Sequence, residues 1–424
     1  MKTNKTPTHH NINKNSIGNT MVMKQLLHFE FKKIMDKKVN RISMLIGILL
    51  IIFCNIKLIQ DETLHIGKEV YTGVEAIHKQ EEIENALTSH LDENFLTQFL
   101  REYQKQTAQN PDGYDYAQIS TKVNLFACIA KNYTEANEYF EWKNLMKINT
   151  DNGIGFYDRR IEKIQTLLET NHIYGSYTET EKDYWLQKAQ SVEIPFLWGS
   201  KNTWEMIWNG IGITFYLFFV LSICIAPVFS GESLNHTDAF LLSTKYGTTK
   251  AVYAKIIAST LFSILYITLC TTISIGIHIV LLGSKGWNLP IQLWDTIIPY
   301  QWTVLEACEV NFLLILIMAL MLTSMTLLLS AISKNPMIVL SIDILFFFGT
   351  IFLPISKNSA LWNKLLNLLP LNAVDLKNVL ISYNSYQFGY TVISYLGMIF
   401  TVYSLLAILF LISTKKAFQK HKIS

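Results

Sequence analysis

Six apolar blocks, separated by polar and charged segments, limit what this 424-residue chain can fold into. They run Ile42–Ile59, Trp208–Phe229, Ile256–Leu282, Phe312–Ile332, Met337–Leu353 and Thr391–Ile412. A helix of about 20 apolar residues crosses the hydrocarbon core of a bilayer. A helix also satisfies its own backbone polar groups there. The blocks therefore predict a predominantly α-helical polytopic membrane protein with six transmembrane helices. The fifth block is the shortest and carries Asp343 near its middle. An isolated charge at that depth is expensive. Asp343 is thus a candidate intramembrane polar site, facing either a helix-packing hydrogen bond or a substrate path. The first block follows a long polar, basic leader and no small-residue cleavage site follows it, so it reads as a retained helix rather than a signal peptide.

Lysines orient the spans. Lys24, Lys32, Lys33, Lys37, Lys38 and Arg41 precede the first, and Lys245, Lys250 and Lys255 lie between the second and third. Lys334 lies between the fourth and fifth, and Lys415, Lys416, Lys420 and Lys422 follow the sixth. Positive residues near span ends favour the cytoplasmic side, which predicts a multi-pass protein of the plasma membrane with both termini cytoplasmic. The leader 1–20 is polar and expected to be disordered. Residues 21–40 place apolar side chains, Phe31 and Ile34 among them, at helical spacing between lysines, as in a basic amphipathic helix lying on the inner surface. The first span is then 41–59, the remaining five occupy 204–414, and a basic tail covers 415–424.

Segment 60–203 is long enough to be a domain with its own core. It holds 23 acidic and 14 basic residues, a net charge of −9, while the whole chain carries +3. Its expected place is outside the membrane, between the first two spans. Glu81–Tyr103, Val123–Met146 and Phe156–Leu168 are predicted helices, and glycines at 113, 153, 155 and 175 mark turns. Trp198, Trp204 and Trp208 read as an interfacial belt. Gly286–Trp302 and Ala360–Ala373 are expected to hold short interfacial helices. The basic inner face needs only anionic lipid as a partner, and nucleic acid is not one.

No phosphate-binding loop of the form GxxxxGK[ST] occurs, and neither HExxH nor GxSxG is present. No catalytic, cofactor-binding or metal site is predicted, and the five cysteines show no ligand spacing. The chain is expected to lack an ATPase activity of its own. Glu306 and Glu309, at the entrance to the fourth span, are the remaining candidates for proton coupling.

The most specific polar segment is Ser230–Ala254, SGESLNHTDAFLLSTKYGTTKAVYA, which lies between the second and third spans. Phe240, Leu241 and Leu242 are apolar residues that this topology leaves on the cytoplasmic side. A short helix over Asn235–Leu242, turning at Gly247, would form a lever joined to two spans; a plain solvated loop is the alternative. With its acidic Glu232, the run Leu241–Leu242–Ser243–Thr244, Gly247 and Ala254–Lys255, the segment resembles the permease subunits of ABC exporters of the ABC-2 class. Asp238-Ala239 stands where common members have Gly-Thr or Gly-Ser. The resemblance implies two permease chains, this one with a second copy or a related chain, and two ATP-binding subunits carrying ATP and magnesium. It implies ATPase coupling through Glu232, Asp238, Phe240, Leu241, Leu242, Lys245 and Gly247, braced by Phe31 and Ile34. It also implies a bacterial plasma membrane and a peptide, lipid-linked or amphiphilic cargo. The competing expectation is a non-transporting sensor or regulator that signals through the large domain.

Overall fold

The computed structural model describes residues 10–87, 89–109, 116–134, 142–170, 172–237, 240, 243–244 and 246–420; over 10–20, 116–121 and 142–143 it describes the backbone alone. Five helices are long and apolar enough to cross a membrane: Lys38–Gln60, Asn202–Val228, Lys250–Leu282, Val304–Ile332 and Tyr395–Gln419. We label them, with the preceding and intervening elements, in chain order. Helix α1 is His10–Asp36 and α2 is Lys38–Gln60. The inserted segment holds strands β1 (Thr63–Ile66) and β2 (Glu69–Thr72) and helices α3 (Gly73–Asn85), α4 (Glu93–Gln109), α5 (Tyr116–Tyr133), α6 (Phe156–Glu169) and α7 (Glu179–Gln190). The second span is α8 (Asn202–Ile213) and α9 (Phe218–Ile225), with 3-10 turns after each. There follow α10 (Ser230–Leu234), α11 (Lys250–Leu282), α12 (Val304–Ile332) and α13 (Pro336–Phe348). Short helices α14 (Ala360–Asn367), α15 (Pro370–Ala373) and α16 (Leu376–Ile381) lead to strands β3 (Ser385–Phe388) and β4 (Thr391–Ser394) and to α17 (Tyr395–Gln419).

The expected fifth span is shorter than a crossing helix. Helix α13 and the 3-10 turn after it cover Pro336–Phe352, closed by the extended Leu353. Pro336 sets the start as the first helical residue, with Asn335 Oδ1 accepting from Met337 N at 2.9 Å. The expected sixth span begins late. Thr391–Ser394 is a strand paired with β3 across a turn at Gly389, whose φ of +63° suits glycine. Its β-branched residues favour a pleat, and Ser394 then caps α17.

The amphipathic segment is also longer than expected. Within the expected disordered leader 1–20, residues 1–9 lie outside the described residues, and from His10 the backbone is helical. The helix stops at Asp36, Lys37 is extended, and Asn40 Nδ2 donates to the released Ile34 carbonyl at 2.8 Å. Ile34 is buried and Phe31 half-buried, because α1 lies along α11. Gly47 lets α2 approach its neighbours closely: a Cβ there would strike the Tyr266 hydroxyl, Leu217 and Val220.

The inserted segment packs Leu96 and Leu100 of α4, Leu125 and Ile129 of α5, Ile164 of α6 and Trp185 of α7 into one core. The single predicted helix Glu81–Tyr103 is two, α3 and α4. Between them Leu91 N donates to Phe196 O at 2.9 Å, and Trp198 N donates to Ser89 O at 3.0 Å. Val123–Met146 is likewise divided between α5 and a 3-10 turn, Trp142–Lys147. The tryptophans are not a lipid-facing belt. Trp198, Trp204 and Trp208 are all buried; Trp198 Nε1 donates to Glu84 O at 3.1 Å, and Trp204 Nε1 donates to Lys285 O at 3.0 Å. Trp204 and Trp208 of α8 pack on the connection between α11 and α12, Trp208 with its ring 4.7 Å from that of Trp294, while Trp198 is held within the inserted segment. Glu306 has a structural task, since it forms a reciprocal capping box with Thr303 at the start of α12.

Candidate functional site: the ion cluster after the second span

The polar stretch after the second span begins with a tight knot. Phe229 N and Ser230 N both donate to Ser330 Oγ at 3.0 Å, and Ser330 Oγ donates to Ala226 O at 2.6 Å. The end of α9 is thereby tied to the last turn of α12. One turn on, Glu232 of α10 accepts from Lys255 Nζ at 2.6 Å and pairs with Lys33 of α1. Lys255 is fully buried; it also reaches Glu30 Oε2 at 3.1 Å and Val228 O at 3.3 Å. Its ammonium lies 5.6 Å from the centre of the Phe229 ring, which packs on Phe418 of α17 at 5.0 Å. Five helices, α1, α10, α11, α12 and α17, therefore meet at the two ends of the stretch.

Electrostatics keeps the Glu232–Lys33 pair ionised. Burial raises the Glu232 carboxyl, but Lys255 and Lys33 outweigh it and keep the group below its ordinary value. Burial likewise works against Lys33, yet Glu232 and Glu30 hold it above its ordinary value. A carboxylate depressed in the folded state adds stability above its unfolded pKa and loses it as pH falls through the folded value. The unfolding midpoint of the detergent-solubilised chain should therefore drop as pH falls below the ordinary carboxyl value of 4.5. Glu232→Gln should flatten that acid limb, as measured by thermal denaturation across pH; an unchanged limb would remove Glu232 from the account.

The predicted lever falls differently on the chain. Helix α10 ends at Leu234, and Asn235 and His236 form a turn, with His236 at φ +55°. The expected helix Asn235–Leu242 thus begins in a turn. Asp238, Leu241, Leu242 and Lys245 lie outside the described residues. Phe240 is 78% exposed. Gly247 is in a turn, with its N–H donating to Thr244 O at 3.2 Å. On the return side Lys415 Nζ donates to Tyr253 Oη at 2.6 Å, and Gln419 Nε2 donates to Thr248 O at 3.2 Å. Among the described residues, Glu232 is the predicted coupling residue that joins the cluster. Its partner Lys33, and Glu30 on the far side of Lys255, were not legible, because 199 residues separate Lys33 from Glu232.

Asp343 is buried on α13, with Thr326 Oγ1 donating to its Oδ2 at 2.7 Å and the Ser222 hydroxyl as a second neighbour. Its hydrogen bond joins α12 to α13, with Ser222 of α9 nearby. Beside it Phe215 stacks on Phe347 at 4.6 Å and Phe219 on Phe348 at 5.4 Å. A polar knot of Asn55, Ser274 and His278 between α2 and α11 went unread in the sequence. Ser274 Oγ donates to Asn55 Oδ1 at 2.7 Å, and Gly210 of α8 leaves room for all three. Among the described residues no group of three His, Cys, Asp or Glu side chains is placed to hold a metal ion. No family model, curated protein or solved structure matches this chain.

Proposed function

We propose that this chain is the membrane-spanning permease subunit of an ATP-driven exporter. It would couple ATP hydrolysis by a separate nucleotide-binding subunit to movement of a peptide, lipid-linked or amphiphilic cargo. The observation that carries the reading is the convergence of five helices on the ends of the polar stretch, with the exposed Phe240 between them. A push at Phe240 would reach both neighbouring spans and α1 through one buried ion cluster. In this reading the lysine-rich ends face the cytoplasm, as do both termini. The inserted domain lies outside, and α13 with its 3-10 extension serves as a sixth, short span. Two permease chains, this one with a second copy or a relative, and two ATP-binding subunits supplying ATP and magnesium would complete the machine. The cargo path would follow α9 and α13 past Asp343 and the stacked phenylalanines.

A second reading, a membrane sensor, gains from Arg160. This buried guanidinium donates to Thr296 O at 2.5 Å, Ala189 O at 3.0 Å and Ile298 O at 3.3 Å. It fixes the inserted domain to the connection between α11 and α12, so a ligand on the domain would be felt at the spans. Reconstitution of the chain with its ATP-binding partner in liposomes separates the two. The exporter reading expects ATP-dependent movement of an amphiphilic or cationic peptide cargo. ATP turnover without movement of any such cargo would favour the sensor.

A further inference from the structure

A cavity of about 600 Å³ lies beyond the end of α13, walled by α14, α15, α16, the start of α17 and Tyr174 of the inserted segment. Asparagines give it its character. Asn384 is 5% exposed, and its side-chain amide bonds to nothing among the described residues. That amide is not sealed inside the protein, so its ends open into the cavity that Asn384 lines. Buried amides ordinarily find partners, so this one points to a ligand that both donates and accepts. The neighbouring amides are only partly used. Asn367 Oδ1 accepts from Tyr174 Oη at 3.2 Å, and its N–H groups have no acceptor among the described residues. Asn372 Nδ2 donates to Leu366 O at 3.0 Å, and Asn378 Nδ2 donates to Asp375 Oδ2 at 2.6 Å. Each of these two keeps a second N–H and its carbonyl oxygen.

Among the described residues that line the cavity, Asp375 alone is charged, and its oxygens accept from Asn378 N, at 3.2 Å, and Asn378 Nδ2. The wall therefore offers donors and acceptors together with no free countercharge. Hydroxyl groups, each donor and acceptor at once, fit it better than a phosphate or an ammonium. Tyr174 and Tyr395 add aromatic surface for the C–H face of a sugar ring. The rim is apolar. Leu353 and Ile355 line the cavity yet are exposed, Ile355 at 61%, and the adjacent Phe352 is 77% exposed. They continue an exposed stripe of α13 made by Ile338, Ile342 and Leu345. A polar cavity at the end of such a stripe suits a ligand with a polar head and an apolar tail, and its volume is ordinary for a small-molecule pocket, roughly 300–1,000 Å³. We propose that this cavity binds the neutral sugar head group of a glycolipid. Asn384 reads the hydroxyls, and the acyl chains lie along Phe352, Ile355 and the α13 stripe. The proposal stands apart from the export reading, because binding needs neither ATP nor a second chain; it requires only that α13 touch lipid.

The test uses the full-length chain in polyoxyethylene-ether micelles, which carry no sugar, and native mass spectrometry with diglucosyl diacylglycerol. Diacylglycerol without sugar, phosphatidylglycerol and free maltose are the controls. Saturable binding of one glycolipid is expected, with each control about tenfold weaker or more. Asn384→Leu should weaken the glycolipid about tenfold while the thermal midpoint holds, because the amide it removes bonds to nothing in the protein. Asn367→Asp keeps the acceptor for Tyr174 and removes the donor, and should also weaken binding; it carries the test alone should Asn384→Leu fail to fold. Absence of glycolipid binding, equal binding of diacylglycerol or phosphatidylglycerol, or folded variants that bind as the wild type would overturn the proposal. Maltose binding as tightly as the glycolipid would place a soluble sugar in the cavity and overturn the lipid assignment.

Discussion

Lys255→Met should destabilise the detergent-solubilised chain by about 3–5 kcal/mol, the usual cost of removing one partner from a buried ion pair. Lys255 is fully buried and is the ammonium nearest Glu30, at 3.1 Å against 4.0 Å for Lys33. Methionine matches the length of the lysine stem, so the loss is charge rather than packing. Lys33 would still hold Glu232, but from a side chain that is 32% exposed. The double variant Lys255→Met/Glu232→Gln should recover part of the loss, because it leaves one fewer buried charge unpaired. A denaturant titration in mixed micelles, run as a double-mutant cycle, measures the coupling. A single-variant loss below about 1 kcal/mol would mean that the cluster is solvated and is no structural hub.

The second large effect is expected at Phe240. Its ring is among the most exposed of the large apolar side chains, on a stretch whose ends are anchored in five helices. Aromatic anchors at the centre of an interface cost about 2 kcal/mol or more when lost, roughly thirtyfold in affinity. On the export proposal, Phe240→Asp should therefore weaken association with the proposed ATP-binding subunit by about that factor. Substrate-stimulated ATP turnover should fall while the chain inserts and folds normally. Circular dichroism and the thermal midpoint of the isolated chain check the latter. Unchanged association and turnover would make the ring a lipid-resting side chain.

Much of the membrane region was legible because length and hydropathy act locally. Every apolar block lies in helix for most of its length, and the capping residues Thr303, Asn335 and Ser394 stand at helix starts where their chemistry predicts. The misread boundaries were set by features that an apolar count does not weigh. The fifth block kept its bounds to within a residue, as Pro336–Phe352, but is too short to count as a crossing helix, whereas the turn at Gly389 converts Thr391–Ser394, read as part of the sixth span, into a strand. Tertiary contacts were less readable. Three tryptophans near a span end fit an interfacial belt equally well, and only the folded chain buries them against the inserted domain. The site divided along the same line. Glu232 and Lys255 stood out in the sequence as separate marks, 23 residues apart. Their pairing depends on α10 folding back against the start of α11, and the arrival of Lys33 and Glu30 depends on α1 lying along α11. Neither contact has a local signature.

The central claim is that the polar stretch between the second and third spans receives a force generated on another chain. A photo-crosslinking amino acid placed at position 240 of the full-length chain, irradiated in its native membranes, tests it most directly. The account predicts an adduct to a protein that carries a phosphate-binding loop, with a yield that changes when ATP is added. Adducts confined to lipid or to this chain's own helices, indifferent to ATP, would contradict it.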